Sequence, residues 1–158
     1  MKIISTTIFL SALIACSSKN GVPSIGMGRT VQDSVLSMMN TVSKKITNEG
    51  PIAWLQYFEE TPGFFMSVDG QIAFVNNDSA SYFIKNTLVK MIAGIKLQWS
   101  DIRIDPLTNT FASIGARFHE DINYNSGNLQ AADGYFTAVA HLTDQGWKLH
   151  NIHWSIKH

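Results

Sequence analysis

The chain has 158 residues, 45% of them apolar and 15% charged, which excludes a protein that is disordered throughout. This length suits one domain preceded by a short targeting segment. Twelve basic and twelve acidic residues cancel. The chain has no basic run to neutralise phosphate groups, so nucleic acid is excluded as a main partner.

The first fifteen residues have the pattern of a secretory signal peptide. Met1-Lys2 is a short positive start, and the apolar run at 3–14 is too short to span a bilayer as a permanent helix. Leu13-Ile14-Ala15-Cys16 resembles the bacterial lipobox, which implies cleavage before Cys16 and acylation of that residue. Cys16 is the single cysteine, so it has no disulfide partner in the chain. The alternative is a plain signal peptide with an incidental cysteine.

These features predict a signal peptide at 1–15 and a protein attached to a membrane through lipidated Cys16. Ser17 follows the cysteine instead of Asp, which in Gram-negative lipoproteins implies sorting to the outer membrane, on its periplasmic side. Residues 16–29 are rich in Ser, Gly and Asn and are predicted to form a flexible tether. The folded domain is expected at 30–158.

Two helices are predicted first in the domain. Thr30 has the character of an N-cap, and apolar residues recur after it at helical spacing, at Val31, Val35, Met38, Val42 and Ile46. Gly50-Pro51 ends this helix and starts a second one at 52–60.

A hairpin and a third helix follow. Strands at 64–69 and 71–75 flank Asp69-Gly70, a strong turn dipeptide. Asn77-Asp78-Ser79 is predicted to cap a helix at 80–93, which Gly94 ends.

The remaining chain is predicted to be strand, at 96–104, at 110–121 and in a long hairpin at 134–156 that turns at Thr143-Asp144-Gln145-Gly146. Strict alternation in the last strand would place Trp147, Leu149, Asn151, His153 and Ser155 on one face, and Lys148, His150, Ile152, Trp154 and Ile156 on the other. Early helices and late strands predict an α+β fold, in which a cone-shaped, curved antiparallel sheet packs on three N-terminal helices.

The end of the chain carries a family resemblance. A polar turn leads into Trp147-Lys148-Leu149 and then His153-x-Ser155, which is similar to the closing strand of the nuclear transport factor 2-like superfamily, including its SnoaL-like and ketosteroid isomerase-like members. The resemblance covers 30–158 and implies a cystatin-like roll. It also implies a homodimer formed through the convex face of the sheet, for which Ile152, Trp154 and Ile156 would be suitable.

The catalytic patterns of that superfamily are not reproduced in the sequence. Ketosteroid isomerases use a Tyr from the first helix and two acids, but the first helix here has no Tyr. Glu120, Asp121 and Asp133 are expected near strand ends. No pair of acids accompanies Arg103 or Arg117, and Arg117 is expected on the outer face or at an interface. No catalytic residue is therefore predicted.

The candidates for a ligand pocket are four aromatic residues and one histidine: Trp54, Tyr57, Trp99, Tyr135 and His153. No cofactor is expected. No metal site is expected either, because His150 and His153 would point to opposite faces of a regular strand.

Three hypotheses remain open. The first is a lipid-anchored envelope protein whose cone binds a small apolar molecule, or serves as an assembly module, without catalysis. The second is an isomerase, cyclase or dehydratase in which His153 and Tyr57 or Tyr135 form an acid–base pair. The third is an interaction or accessory protein with a filled cone, packed by Phe83, Met91, Trp99 and Leu149.

Overall fold

The computed structural model describes residues 25–157, and helices occupy the first part of this range. Helix α1 (Ile25–Glu49) is followed by a 3₁₀ helix (Pro51–Gln56). Helix α2 (Asn77–Phe83) continues through a π-helical turn (Ile84–Leu88) into α3 (Val89–Met91). The predicted signal peptide, Cys16 and the first part of the tether lie outside the described residues. Within 25–157, no helix has the length and apolar character needed to cross a membrane.

Six strands form one open, mixed sheet. They are β1 (Phe65–Val68), β2 (Gln71–Phe74), β3 (Ile92–Pro106), β4 (Phe111–Tyr124), β5 (Leu129–Thr143) and β6 (Gly146–Ile156). Their order is β2-β1-β6-β5-β4-β3, and every neighbouring pair is antiparallel except β1 with β6. The expected α+β fold, a cone-shaped sheet against helices, is confirmed.

The core lies between α1 and the inner face of the sheet. The predicted apolar stripe of α1 is buried, with Val35, Val42 and Ile46 fully inaccessible to solvent. On β4 the inward residues alternate as the pleat requires, with Ala112, Ile114, Ala116 and Phe118 all buried. This regular alternation determines which later residues of β4 point inward.

Helix α1 and the third helix begin earlier than predicted. Because α1 starts at Ile25, Thr30 lies inside the helix, where its hydroxyl donates to the carbonyl oxygen of Gly26, instead of capping it. The N-cap of α2 is Asn76, whose side chain accepts from the backbone N–H of Ser79 in a capping box. The third helix also ends earlier than predicted, since β3 begins at Ile92 and includes Gly94.

The predicted turn between β1 and β2 is confirmed at Asp69-Gly70, where both residues have positive φ, 48° and 78°. The side chain of Asp69 also accepts a hydrogen bond from the backbone N–H of Ile156, at 2.7 Å. This bond attaches the hairpin to the end of β6, the strand beside which β1 lies.

A β-bulge interrupts the alternation of β6. Val139 pairs with Asn151, but Ala140 pairs with Leu149, so His150 is an extra residue opposite β5. As a result Leu149 and Ile152 both point inward and are buried, although strict alternation places them on opposite faces. The prediction that Asn151 and His153 share a face with Leu149 is therefore wrong, because the bulge reverses the residues after it relative to those before it.

Gly134 on β5 is placed where no side chain fits. A Cβ atom there would overlap the carbonyl oxygen of Ser155 and lie 2.7 Å from ring carbons of Phe118. Gly115, on the neighbouring strand, has open space at the same atom. The close contact of β4, β5 and β6 at Gly134 thus depends on the absence of a side chain.

Candidate functional site

A cavity of about 180 Å³ lies between the inner face of the sheet and the elements that cover it. The 3₁₀ helix and the residues after it contribute Trp54 and Phe58, and the helical segment 77–91 contributes Ile84 and Leu88. The hairpin contributes Met66, Val68 and Phe74, and the sheet adds Ile92, Ile95, Ile122, Phe136, Ile152 and Trp154. Each of these side chains is apolar or aromatic.

Glu120 is the one ionisable residue among the described residues that line this cavity. It continues the inward series of β4 two positions after Phe118, between Leu97 of β3 and Ala132 of β5. Burial raises the pKa of its carboxyl to about 7 from the ordinary 4.5, and the charge of neighbouring His119 opposes this only in part. Within 25–157 no hydrogen-bonding partner of this carboxyl is found.

Of the five predicted pocket residues, Trp54 lies in the cavity wall. Its ring centroid is 5.9 Å from that of Trp154. Trp99 also faces inward, 5.8 Å from Trp154, but it packs half-buried against the core outside the cavity wall. Its indole N–H donates to the carbonyl oxygen of Met39 at 3.1 Å. Tyr57 packs half-buried beside the core outside the cavity wall, and burial raises the pKa of its hydroxyl.

Tyr135 and His153 are on the outer face of the sheet, so their predicted position inside the cone is wrong. Tyr135 is 56% exposed, and His153 is exposed beside Ser67 and Thr137 in an outer groove. The bulge at His150 explains the outward position of His153, because the extra residue reverses which face of the sheet the following side chains point to. Tyr135 shares its outward direction with Arg117, its partner in the register of β4 and β5.

The same bulge alters the predicted dimer surface. Ile152 and Trp154 are 3% and 7% exposed and face the cavity, so they cannot form a convex interface. Ile156 is half-buried.

Arg117 lies on the outer face, as predicted. Its Nε donates to the hydroxyl oxygen of Tyr135 at 2.9 Å and lies 3.3 Å from the Asp101 carboxylate. Next to it, His119 contacts Asp133 at 2.9 Å and Asp121 at 3.3 Å. The hydrogen bond with Asp133 is the largest cause of a raised pKa of His119. Three carboxylates outnumber Arg117 and His119 in this exposed network, so its net charge is negative.

A second ionisable cluster lies at the other end of the sheet, near the turn between β5 and β6. Glu59 is 6% exposed, and its two carboxylate oxygens meet Nδ1 of His141 at 2.9 Å and Nδ1 of His150 at 2.7 Å. Both carboxylate oxygens thus have imidazole partners. Within the described range, no set of three or more His, Cys, Asp or Glu side chains is arranged to hold a metal ion.

Sequence reasoning missed Glu120, although a signal was present. Ala112, Ile114, Ala116, Phe118 and Ile122 occupy alternate positions, and Glu120 interrupts this apolar series. The sequence predicted that this strand ends at Asp121, so Glu120 was expected near a strand end. In the structure β4 continues to Tyr124. The Glu59 cluster had no local signal, since its histidines are 82 and 91 residues away.

Comparison with known proteins identifies the fold. A nuclear transport factor 2-like superfamily protein from Salmonella enterica superposes with a TM-score of 0.69 at 17% identity, over 82% of this chain and 93% of that chain. A putative scytalone dehydratase from Novosphingobium aromaticivorans gives 0.75 at 15% identity, over 85% and 89%. Hexachlorocyclohexane dehydrochlorinase from Novosphingobium barchaimii gives 0.65 at 9% identity, over 82% and 88%.

These similarities confirm the nuclear transport factor 2-like fold that the closing strand suggested. No protein-family model matches the chain, and no curated protein sequence does. At such low identities the solved structures establish the fold alone.

Proposed function

We propose that this protein is a lipid-anchored envelope protein whose cone binds a small, mostly apolar molecule without catalysis. The observation that carries the proposal is the cavity itself, which has an apolar wall and one carboxyl group, Glu120. Such a combination is typical of small-molecule sites, where apolar surface supplies affinity and a few polar groups fix orientation.

The size of the cavity limits the ligand. An apolar cavity of about 150 Å³ in another protein holds benzene. The volume here, about 180 Å³, therefore suits a molecule with one ring or a short branched chain. A cone packed solid would favour a pure interaction protein instead, but Phe83 and Met91 are 38% and 48% exposed, so they do not fill it.

A cavity with one acid is better suited to binding than to the acid–base chemistry considered from the sequence. That chemistry needs a second polar group opposite the first. Among the described residues that line the cavity, the only other polar hydrogens on side chains are the indole N–H groups of Trp54 and Trp154. The proposed pair of His153 and Tyr135 is on the outer face.

Toluene binding to the purified protein tests this proposal. We expect changes in the NMR chemical shifts of residues in the cavity wall when toluene is added. The variant Val68→Phe, whose larger side chain fills the cavity, should weaken toluene binding roughly tenfold or more. Val75→Phe is the matched control, because Val75 is 63% exposed and does not line the cavity, and this variant should bind normally. Failure of toluene to bind the wild-type protein would refute the proposal.

A second candidate is acid–base catalysis by Glu120 itself. The specific observation is its pKa of about 7, which is suitable for a proton carrier at neutral pH. Two structural neighbours are a putative scytalone dehydratase and a hexachlorocyclohexane dehydrochlorinase. Deuterium uptake from D₂O into the α-carbon of cyclohexanone distinguishes the two functions. If the wild-type protein takes up deuterium faster than buffer alone and Glu120→Gln abolishes this excess, the result would favour an enzyme. If uptake proceeds at the buffer rate, the result would favour a binding protein.

The proposed anchor is an acylated Cys16 at the periplasmic side of the outer membrane, supported by the lipobox resemblance and Ser17. Cys16→Ser should abolish palmitate labelling and release the protein from membranes, whereas Ser18→Ala should change neither. Membrane retention of Cys16→Ser would contradict the anchor.

We also propose a homodimer through the outer face of the sheet, in the groove lined by Ser67, Ser113, Thr137, Asn151 and His153. Native mass spectrometry should detect a dimer that Thr137→Arg dissociates. A strict monomer in the wild-type protein would contradict the interface.

A further inference from the structure

We infer that the molecule bound in the cavity carries a cationic amine, which pairs with the carboxylate of Glu120 while its apolar part contacts the aromatic wall. This inference rests on the proposed function, and it names the chemical class of the ligand. It is based on the charge and the aromatic composition of the cavity.

Among the residues that the structure describes, Glu120 has no cationic partner within the cavity. The 3₁₀ helix, the hairpin, the helical segment 77–91 and the strands contribute only apolar and aromatic side chains around it. His119, the next residue along β4, is the one group whose charge acts on it, and its side chain lies on the outer face with Asp121 and Asp133. Among the described residues, the carboxylate form of Glu120 is therefore largely, though not fully, withdrawn from solvent without a counter-ion, and a cation in the cavity would supply one.

The aromatic wall favours the same sign of charge. Trp54, Phe58, Phe74, Phe136 and Trp154 all line the cavity, and the faces of aromatic rings attract cations because their π-electrons carry negative potential. The rings of Trp54 and Trp154 meet edge to face, so their two ring planes are oriented differently around the cavity. A carboxylate with several aromatic rings is the combination that recognises an ammonium group attached to an apolar body.

The alternative ligands fit less well. A ligand anion would meet aromatic rings and Glu120, with no cationic side chain among the described lining residues to balance it. A neutral carbonyl compound could accept a hydrogen bond from protonated Glu120, but no group in the described part of the chain holds that carboxyl by a hydrogen bond in one orientation. A cation needs no fixed proton position, because charge attraction depends less on direction than a hydrogen bond does.

Three probes of nearly equal shape test the inference by titration calorimetry on the purified protein at pH 8: benzylamine, benzyl alcohol and toluene. We expect benzylamine to bind about tenfold or more tightly than benzyl alcohol. Glu120→Gln should remove this preference without weakening toluene binding, which also shows that the variant is folded. Glu60→Gln, at an exposed position, should retain it.

The pH dependence provides a second measurement. The affinity for benzylamine should rise from pH 5.5 to pH 8 as Glu120 ionises, because its raised pKa lies in this interval. The affinity for toluene should not rise. Equal or weaker binding of benzylamine relative to benzyl alcohol at pH 8 would overturn the inference while leaving the proposed function intact, provided that toluene binds. If none of the probes binds, both are refuted.

Discussion

The largely buried carboxyl of Glu120 should make the stability of the protein depend on pH, and Glu120→Gln should remove this dependence. Below pH 4.5 the carboxyl is protonated in the folded and unfolded states alike, so its ionisation does not lower the free energy of unfolding. As pH rises, the unfolded chain loses the proton first, because the folded-state pKa is about 7. Stability is therefore lost progressively between about pH 4.5 and 7.

The magnitude follows from the pKa. A tenfold change in proton affinity corresponds to about 1.4 kcal/mol. Raising the pKa from 4.5 to about 7 thus lowers the free energy of unfolding by about 3 kcal/mol at alkaline pH. Glutamine has nearly the same shape but no charge. Between pH 5 and 8.5, the variant should therefore gain roughly 2 to 3 kcal/mol relative to the wild type.

Urea unfolding followed by tryptophan fluorescence and circular dichroism, at pH 5, 6, 7 and 8.5, measures this difference. The decisive quantity is how the difference in the free energy of unfolding between Glu120→Gln and wild type changes with pH. An unpaired glutamine amide destabilises the folded state by a similar amount at every pH, so it does not contribute to this change. Glu60→Gln is the control, since that side chain is exposed, and its curve should follow the wild type. If the free energies of Glu120→Gln and wild type stay parallel across this range, the raised pKa is wrong.

Three further variants test the fold and the outer face. Gly134→Ala should destabilise the protein by about 1–3 kcal/mol through overpacking, whereas Gly115→Ala, which has free space, should be tolerated; equal denaturation midpoints would contradict the close contact. Asn76→Ala should cost about 1 kcal/mol in thermal or chemical unfolding because it removes the capping box, and an unchanged stability would show that the cap is unimportant. Asp133→Asn should lower the pKa of His119, measured by NMR titration of its ring protons, because their hydrogen bond is the main cause of the raised value. A His119 pKa that does not fall would refute this cause.

Features that depend on neighbours in sequence were predictable. The apolar stripe of α1 follows helical periodicity, and the Asp69-Gly70 turn follows from two residues that tolerate positive φ. The long strands and their meander likewise follow from alternating apolar residues and polar turns. Local chemistry therefore accounts for most of the architecture.

Features that depend on contacts between distant strands were not predictable. The bulge at His150 arises where β6 pairs with both β5 and β1, and no local pattern marks the extra residue. It reversed the facing of the strand end and moved His153 out of the predicted site. The position of Glu120 similarly depended on how far β4 continues in its pairing with β3 and β5.

The position of β6 also affects the order in which the protein can be assembled on the ribosome. β6 is the last strand in the sequence, yet it lies between β1 and β5, and its bond from Ile156 to Asp69 joins residues 87 positions apart. Translation at about 5–20 residues per second separates the emergence of these two residues by roughly 4 to 17 s. Throughout that interval one edge of β1 stays unpaired, and the free edge of β5 stays unpaired from its own emergence until β6 follows. Co-translational folding therefore cannot complete the sheet, and early chaperone cover would protect it from aggregation.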